Sequence, residues 1–250
     1  ATIPPGVIQA YVVVMILLVA GGVIFDIIDK KSAKYFFANW RNSRTKGTRE
    51  VGSGEMVSLA VKTAVVEGLT SGEFCNQHRR IAHLLTMYGF IAYITATAVM
   101  VFGYPTPVTP APAIWPFLWH LGALSVCAGG YWFWFFIRVD VAAEGNSPLR
   151  VVHADLFILS LLASTTLALF WSAVQAAGGS WTNIFLGLYV IATTVLFGSV
   201  PWSKFAHMFY KPAAAFEKRV SEANGSRSNL PAPADKPAAL GDPRELPRHY

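Results

Sequence analysis

Five apolar stretches of about 20 residues each, set apart by polar segments, constrain this chain more than any other feature. They cover residues 6–28, 81–102, 114–137, 152–171 and 181–200. Stretches of that length match the hydrocarbon core of a bilayer, where a helix satisfies its own backbone groups. The expected fold class is all-α, an integral membrane bundle of five transmembrane helices. Composition agrees: of 250 residues only 14% are charged and 54% are hydrophobic, against about 25% charged in an average soluble domain. A water-soluble enzyme, a disordered chain and a disulfide scaffold are all poor matches. Cys75 and Cys127 read as isolated thiols. The first stretch lacks a basic leader and a small-residue cleavage signature, so it reads as a retained helix.

The 20 lysines and arginines all fall on one side of these stretches. Ten lie in residues 29–80, two in 138–150 and eight from Lys204 onward. The segment before the first stretch, residues 103–113 and residues 172–180 hold none. The positive-inside bias predicts an N-out, C-in topology. The net charge of +6 then belongs to a cytoplasmic surface facing membrane and partner. No basic recognition helix or binding motif accompanies it, so no nucleic-acid partner is expected. Residues 103–113 are Pro-rich, which excludes a helix there. Trp115 and Trp181 open the spans that follow the outer loops, as interfacial anchors do.

The organisation that follows is a first span (1–28), a cytoplasmic segment (29–80), a four-helix core (81–215) and a tail (216–250). Within the second segment, Met56, Leu59, Ala60, Ala64 and Leu69 recur at partly helical spacing among Glu55, Lys62 and Glu67. Residues 53–74 are too short and charged to span, and are predicted to form an interfacial helix. Residues 32–44 mix Tyr35, Phe36, Phe37 and Trp40 with basic residues; they read as a juxtamembrane anchor, with a docking surface as the sharper alternative. The tail is rich in Pro, Ala, Ser and charge, and is expected to be extended, flexible or partner-binding. Residues 231–237 suit polyproline II against a partner.

Four of the six histidines lie in or beside spans, and an ionisable group there is a functional candidate. His249 in the tail and His78 in a polar loop read as solvated. Neutral imidazole is a strong axial ligand of haem iron. A bis-histidine site needs two rings at one depth. In the N-out topology His83, His153 and His207 share the cytoplasmic level, whereas His120 sits alone near the outer end of the third span. Any pair from the first three is allowed. For His120, ligation with Met100 is the sharp reading and a hydrogen-bonded bundle histidine the plainer one. Arg79 and Arg80 lie one turn toward the cytoplasm from His83, and Lys204 lies near His207; these cations can pair haem propionates. His153 can instead line a quinone pocket and donate to a quinone carbonyl.

Three segments carry a resemblance: RRIAHLLTMYGF (79–90), HADLFILSLL (153–162) and VPWSKFAHMFYKP (200–212). Together they resemble the cytochrome b family of respiratory nitrate reductase gamma subunits. They are more similar still to the membrane subunits of heterodisulfide-reductase-like complexes and of the quinone-interacting membrane-bound oxidoreductase of sulfur metabolism. The resemblance spans residues 79–215. It implies a bacterial inner-membrane subunit with b-type haem, quinone as substrate, and a cytoplasmic iron–sulfur and flavoprotein oxidoreductase as partner, of which adenylylsulfate reductase is the nearest case. His83 and His207 match the two axial ligands of the family's cytoplasm-proximal haem. The distal pair of ligands falls on Tyr93 and Tyr189, so the distal haem is not expected. The candidate quinone-pocket residues are His153, Asp155, Arg80 and Lys204, with Asp155 alternatively anchoring the fourth span.

One haem near one face cannot carry electrons across a bilayer, so quinone chemistry is expected on the cytoplasmic side and electrically neutral. The chain has no nucleotide loop, no CxxC cluster and no catalytic triad, so chemistry on sulfur would belong to the partner, and this chain would be at most a quinone reductase subunit. A haem-free structural anchor that docks the soluble enzyme is the second reading. A small transporter is the third, against which stands the lack of an inverted repeat or broken helices.

Overall fold

The computed structural model describes residues 3–29, 32–72, 76–106, 108–138, 151, 155–202 and 207–227; of residues 32, 33 and 207–210 it describes the backbone alone. Among these residues there is no strand. Eight α-helices follow in order: α1 Pro5–Asp29, α2 Ser32–Lys46, α3 Ser53–Thr63, α4 Gln77–Gly103, α5 Ile114–Trp132, α6 Leu156–Ala176, α7 Thr182–Gly198 and α8 His207–Ala223. Single π-helical turns extend α3 through Ala64–Leu69 and α5 through Phe133–Ile137.

Among the described residues four helices are long and apolar enough to cross a membrane: α1, α4, α5 with its π-helical turn, and α6. The chain is a multi-pass membrane protein. α7 is apolar but has 17 residues, about 25 Å at 1.5 Å per residue, which is short of a core of about 30 Å. A 3₁₀ turn at Val200–Trp202 follows it after a single residue. Helix boundaries shift from those predicted. α4 starts at Gln77 because Asn76 caps it, its Oδ1 accepting from the backbone N–H of His78 (2.9 Å) and Arg79 (3.3 Å). His78 is thus helical, with its ring 6.0 Å from that of Trp132, and does not lie in a loop. α6 starts at Leu156, four residues later than hydropathy placed it, and runs on to Ala176.

The bundle is assembled through small residues. A Cβ added at Gly89 would lie 2.8 Å from the Gly122 carbonyl oxygen, one at Gly122 2.6 Å from the Gly89 oxygen, and one at Gly129 2.6 Å from the Ala82 oxygen. The α4 and α5 backbones therefore touch over about two turns, the contact that stands in for a hydrophobic driving force inside lipid. At Gly130 it is the Leu162 side chain of α6 that a Cβ would meet, at 2.7 Å. α1 is the peripheral helix and presents most of its apolar side chains outward. It is held to the bundle by polar ties, Tyr11 Oη donating to the Val190 carbonyl (3.1 Å) and Gln9 Nε2 to the Val101 carbonyl (3.1 Å).

The polar segments fold into a platform at one end. α8 packs against α2 and α3. Trp40 stacks on Phe216 (5.7 Å) and Phe36 on Trp40 (6.1 Å), while Tyr35 and Phe37 face outward. The helical period therefore divides the aromatic run of residues 32–44 between platform core and exterior. Asn224 Nδ2 donates to the Ser43 carbonyl (3.0 Å), and the Thr48 N–H donates back to the Asn224 carbonyl (2.8 Å). Arg219 pairs with Glu67 at 2.8 Å. The tail boundary predicted at residue 216 is too early, because α8 and Asn224 belong to this platform; residues 228–250 lie outside the described residues.

Candidate functional site

The platform end of α4 carries the first predicted ligand, and three of its side chains grip the last residue of the interfacial helix and the two that follow it. Tyr88 Oη donates to the Leu69 carbonyl (2.7 Å), Arg80 Nε donates to the Thr70 carbonyl (2.8 Å), and His83 Nδ1 lies 2.9 Å from Ser71 Oγ. Ser71 is 1% exposed and has φ +49°, in the left-handed region that non-glycine residues rarely enter. The predicted interfacial helix thus ends at Leu69 and its exit is sutured to α4. In the tautomer that carries its proton on Nδ1, the ring donates to Ser71 Oγ and keeps its lone pair on Nε2, the nitrogen that binds iron in an axial ligand. A histidine ligand normally has its other ring nitrogen held in this way, so His83 fits the role. Partly buried Phe90, Phe157 and Phe197 pack around Val126, Leu161 and Leu196 deeper in the bundle.

The other predicted members divide. His207 begins α8, with its backbone alone described, and His153 and Lys204 lie outside the described residues. Arg79 is exposed on the first turn of α4. Arg80 spends its Nε on Thr70, so its first role is to hold the α3 exit. Asp155 sits at the start of α6 and forms a two-point ion pair with Arg138, Nη2 to Oδ2 at 2.6 Å and Nε to Oδ1 at 3.2 Å. Arg138 also lies 4.1 Å over the Trp134 ring. The Asp155 carboxylate therefore pins α6 to the end of α5. Among the described residues no group of three or more His, Cys, Asp or Glu is arranged to hold a metal ion; a bis-histidine haem requires only two ligands.

The level of Tyr93 and Tyr189 is closed. The two hydroxyls bond directly at 2.5 Å. Tyr93, 4% exposed, lies 5.3 Å from the Trp119 ring, and Tyr189 stacks on Trp171 at 6.0 Å. Ala96, Ala123 and Ala168 complete this cluster. Aromatic side chains occupy the space between α4 and α7 here, and the donor set is two phenols, so these residues do not fit a haem. Nearby His120 has both ring nitrogens engaged, Nδ1–H donating to the Pro116 carbonyl (2.7 Å) and Nε2 bonded with Ser172 Oγ (2.8 Å). It is a hydrogen-bonded bundle histidine.

Sequence reading missed three residues here. Asp26 is 1% exposed in the last turn of α1, and an acid inside an apolar stretch was the available signal. Arg138 stood out only as a lone cation after a span. Ser71 carried no signal, because nothing in the composition of a loop announces a left-handed serine placed against a histidine of the next helix.

No protein-family model matches the chain, and no solved structure matches it at a significant level. Among curated proteins it is similar to Citrate utilization protein B of Escherichia coli, with 25% identity over 206 residues, covering 76% of this chain and 52% of that protein. The chain spans about half the length of the curated relative it matches.

Proposed function

We propose that the chain is the membrane anchor and electron-transfer subunit of an oxidoreductase in the bacterial inner membrane. It would cross the bilayer five times, N-out and C-in, with α7 and its 3₁₀ turn as the fifth span. It would link the quinone pool to a cytoplasmic iron–sulfur and flavoprotein partner docked on the platform of α2, α3 and α8. His83 and His207 are the proposed axial ligands of one b-type haem near the cytoplasmic face, with Arg79, Arg80 and Lys204 as candidates for its propionates. Haem bound there supplies a one-electron carrier. His83 presents Nε2, Ser71 holds the ring, and the aromatic side chains keep water from the interior side. His153 remains the proposed quinone-pocket residue; Asp155, tied to Arg138, would shape that pocket from the start of α6.

The observation that supports this reading most is the contrast between two levels of one helix. Residue 83 is a histidine with its Nδ1 held, whereas residue 93, about 15 Å further along α4, is a tyrosine bonded to its counterpart on α7. Such a molecule holds one haem, and electrons would enter and leave on the cytoplasmic side. A pyridine haemochrome assay with visible spectra of wild type, His83→Ala and His207→Ala tests it. One haem per chain, lost in both variants, is expected. Haem retained in both variants refutes the ligand assignment, and an absence of haem with docking intact leaves the haem-free anchor.

The relative favours a second reading of the partner. Its name ties it to citrate utilisation, and on that ground the soluble partner would act on a tricarboxylic acid instead of adenylylsulfate. Dye-linked oxidation of each substrate by membranes carrying the assembled complex separates the two.

A further inference from the structure

We infer that Ser71 is the positioning residue of His83: its buried hydroxyl accepts from Nδ1–H, fixes the ring as the Nδ1–H tautomer and so keeps the lone pair on Nε2. The iron-directed consequence rests on the haem reading above, whereas the tautomer assignment does not.

Three observations converge on this role. Ser71 Oγ lies 2.9 Å from His83 Nδ1 across an intervening 12-residue separation. Ser71 is 1% exposed, so no bulk water competes for the imidazole. Its backbone adopts φ +49°, a conformation that a non-glycine residue holds only when its surroundings over-determine it. Those surroundings are the Tyr88 and Arg80 bonds to the two preceding carbonyls, and the Gly72 N–H donating to the Val66 carbonyl at 2.7 Å. Glycine would suit the backbone better, yet a hydroxyl stands there. The α3 exit is thus built to deliver one oxygen atom to one imidazole nitrogen.

An acceptor at Nδ1–H pushes electron density toward Nε2 and makes the ring a better donor to oxidised iron. Removing it therefore favours the reduced form. A change of up to about tenfold in the oxidised-to-reduced balance corresponds to about 59 mV for a one-electron couple.

The test compares wild type with Ser71→Gly and Ser71→Ala in the full-length chain. Glycine relieves the left-handed backbone and alanine does not, but both remove the hydroxyl. ¹⁵N-histidine NMR, with the His83 signal identified from a His83→Gln spectrum, reads the tautomer. Redox titration of the haem band reads the potential. In haem-free protein the expected result is an Nδ1–H tautomer in wild type and a mixed population in both variants; in haem-loaded protein it is an upward potential shift of similar size in both. An Nε2–H tautomer in wild type overturns the inference. So does an unshifted potential in haem-loaded Ser71→Gly, which would assign Ser71 a backbone role only. If wild type binds no haem, the function reading fails while the NMR comparison still decides the role of Ser71.

Discussion

Replacing the tyrosine pair by phenylalanine, one residue at a time and then together, isolates a single interhelical hydrogen bond at the closed level of the bundle. Phenylalanine keeps the ring contacts with Trp119 and Trp171, so only hydroxyls change. Tyr189→Phe leaves the buried Tyr93 Oη without the partner it had at 2.5 Å. Stranding a buried hydroxyl costs about 1–3 kcal/mol. Measured interhelical hydrogen bonds in membranes average about 0.6 kcal/mol and reach about 1.7, and the short, enclosed geometry places this one toward the upper end. Each single variant is expected to lose about 1–2 kcal/mol. The double variant strands nothing, and should be less destabilised than the sum of the singles by about 1 kcal/mol or more. Reversible unfolding in mixed detergent micelles, with all four proteins measured side by side, gives that coupling directly. Additivity within about 0.5 kcal/mol would refute the argument, because it would mean that the hydroxyls do not depend on each other.

Gly122→Ala drives a Cβ to within 2.6 Å of the Gly89 carbonyl oxygen and 2.7 Å of the Tyr93 backbone nitrogen. Backbone cannot step aside as a side chain does, so a loss at or above the usual overpacking cost of about 1–3 kcal/mol is expected in the same unfolding assay. Gly187→Ala, which meets nothing within 4 Å, is the control. Asp155→Asn should cost on the order of 2–3 kcal/mol, short of the ~3–5 for a fully buried pair, since the two side chains are 14% and 13% exposed. Thermal melts in detergent should show recovery when Arg138→Met is added. Burial raises the Glu217 carboxyl above the ordinary glutamate range, and its Oε1 has no hydrogen-bond partner among the described residues. A raised folded-state pKa favours the protonated form, so its contribution is full below the unfolded value and lost as pH rises through the folded value. Glu217→Gln should flatten that decline when platform melting is followed from acid to neutral pH.

What hydropathy could read was where the chain must be in lipid, because transfer free energy depends on composition along a window and little else. α1, α4, α5 and α6 were visible for that reason. Their ends were not, because ends are set by single polar atoms such as the Asn76 Oδ1 that starts α4 four residues early. Tyr93 and Tyr189 were legible only as a paired departure from the pattern of the family the sequence resembles, and their direct bond depends on the depth and rotation of α4 and α7. The platform was the least legible part. Ser43, Asn224, Trp40 and Phe216 meet only after several spans have turned the chain back on itself, and no local period records a pairing of that range. His83 could be named from its setting, whereas Ser71 required the loop to be built.

The bond from Asn224 to Ser43 has a consequence in time. The partners are separated by 181 residues, and chains lengthen at about 5–20 residues per second, so α2 waits roughly 10–40 seconds for the residues that complete it. During that interval Phe36 and Trp40 lack the Phe216 ring they finally stack on. The membrane surface, where aromatic side chains reside readily, is the natural place for α2 to be held until α8 emerges. The platform is thus the last part of the molecule to close. A chain that stalls before residue 216 would hold every described apolar helix and yet lack a finished platform.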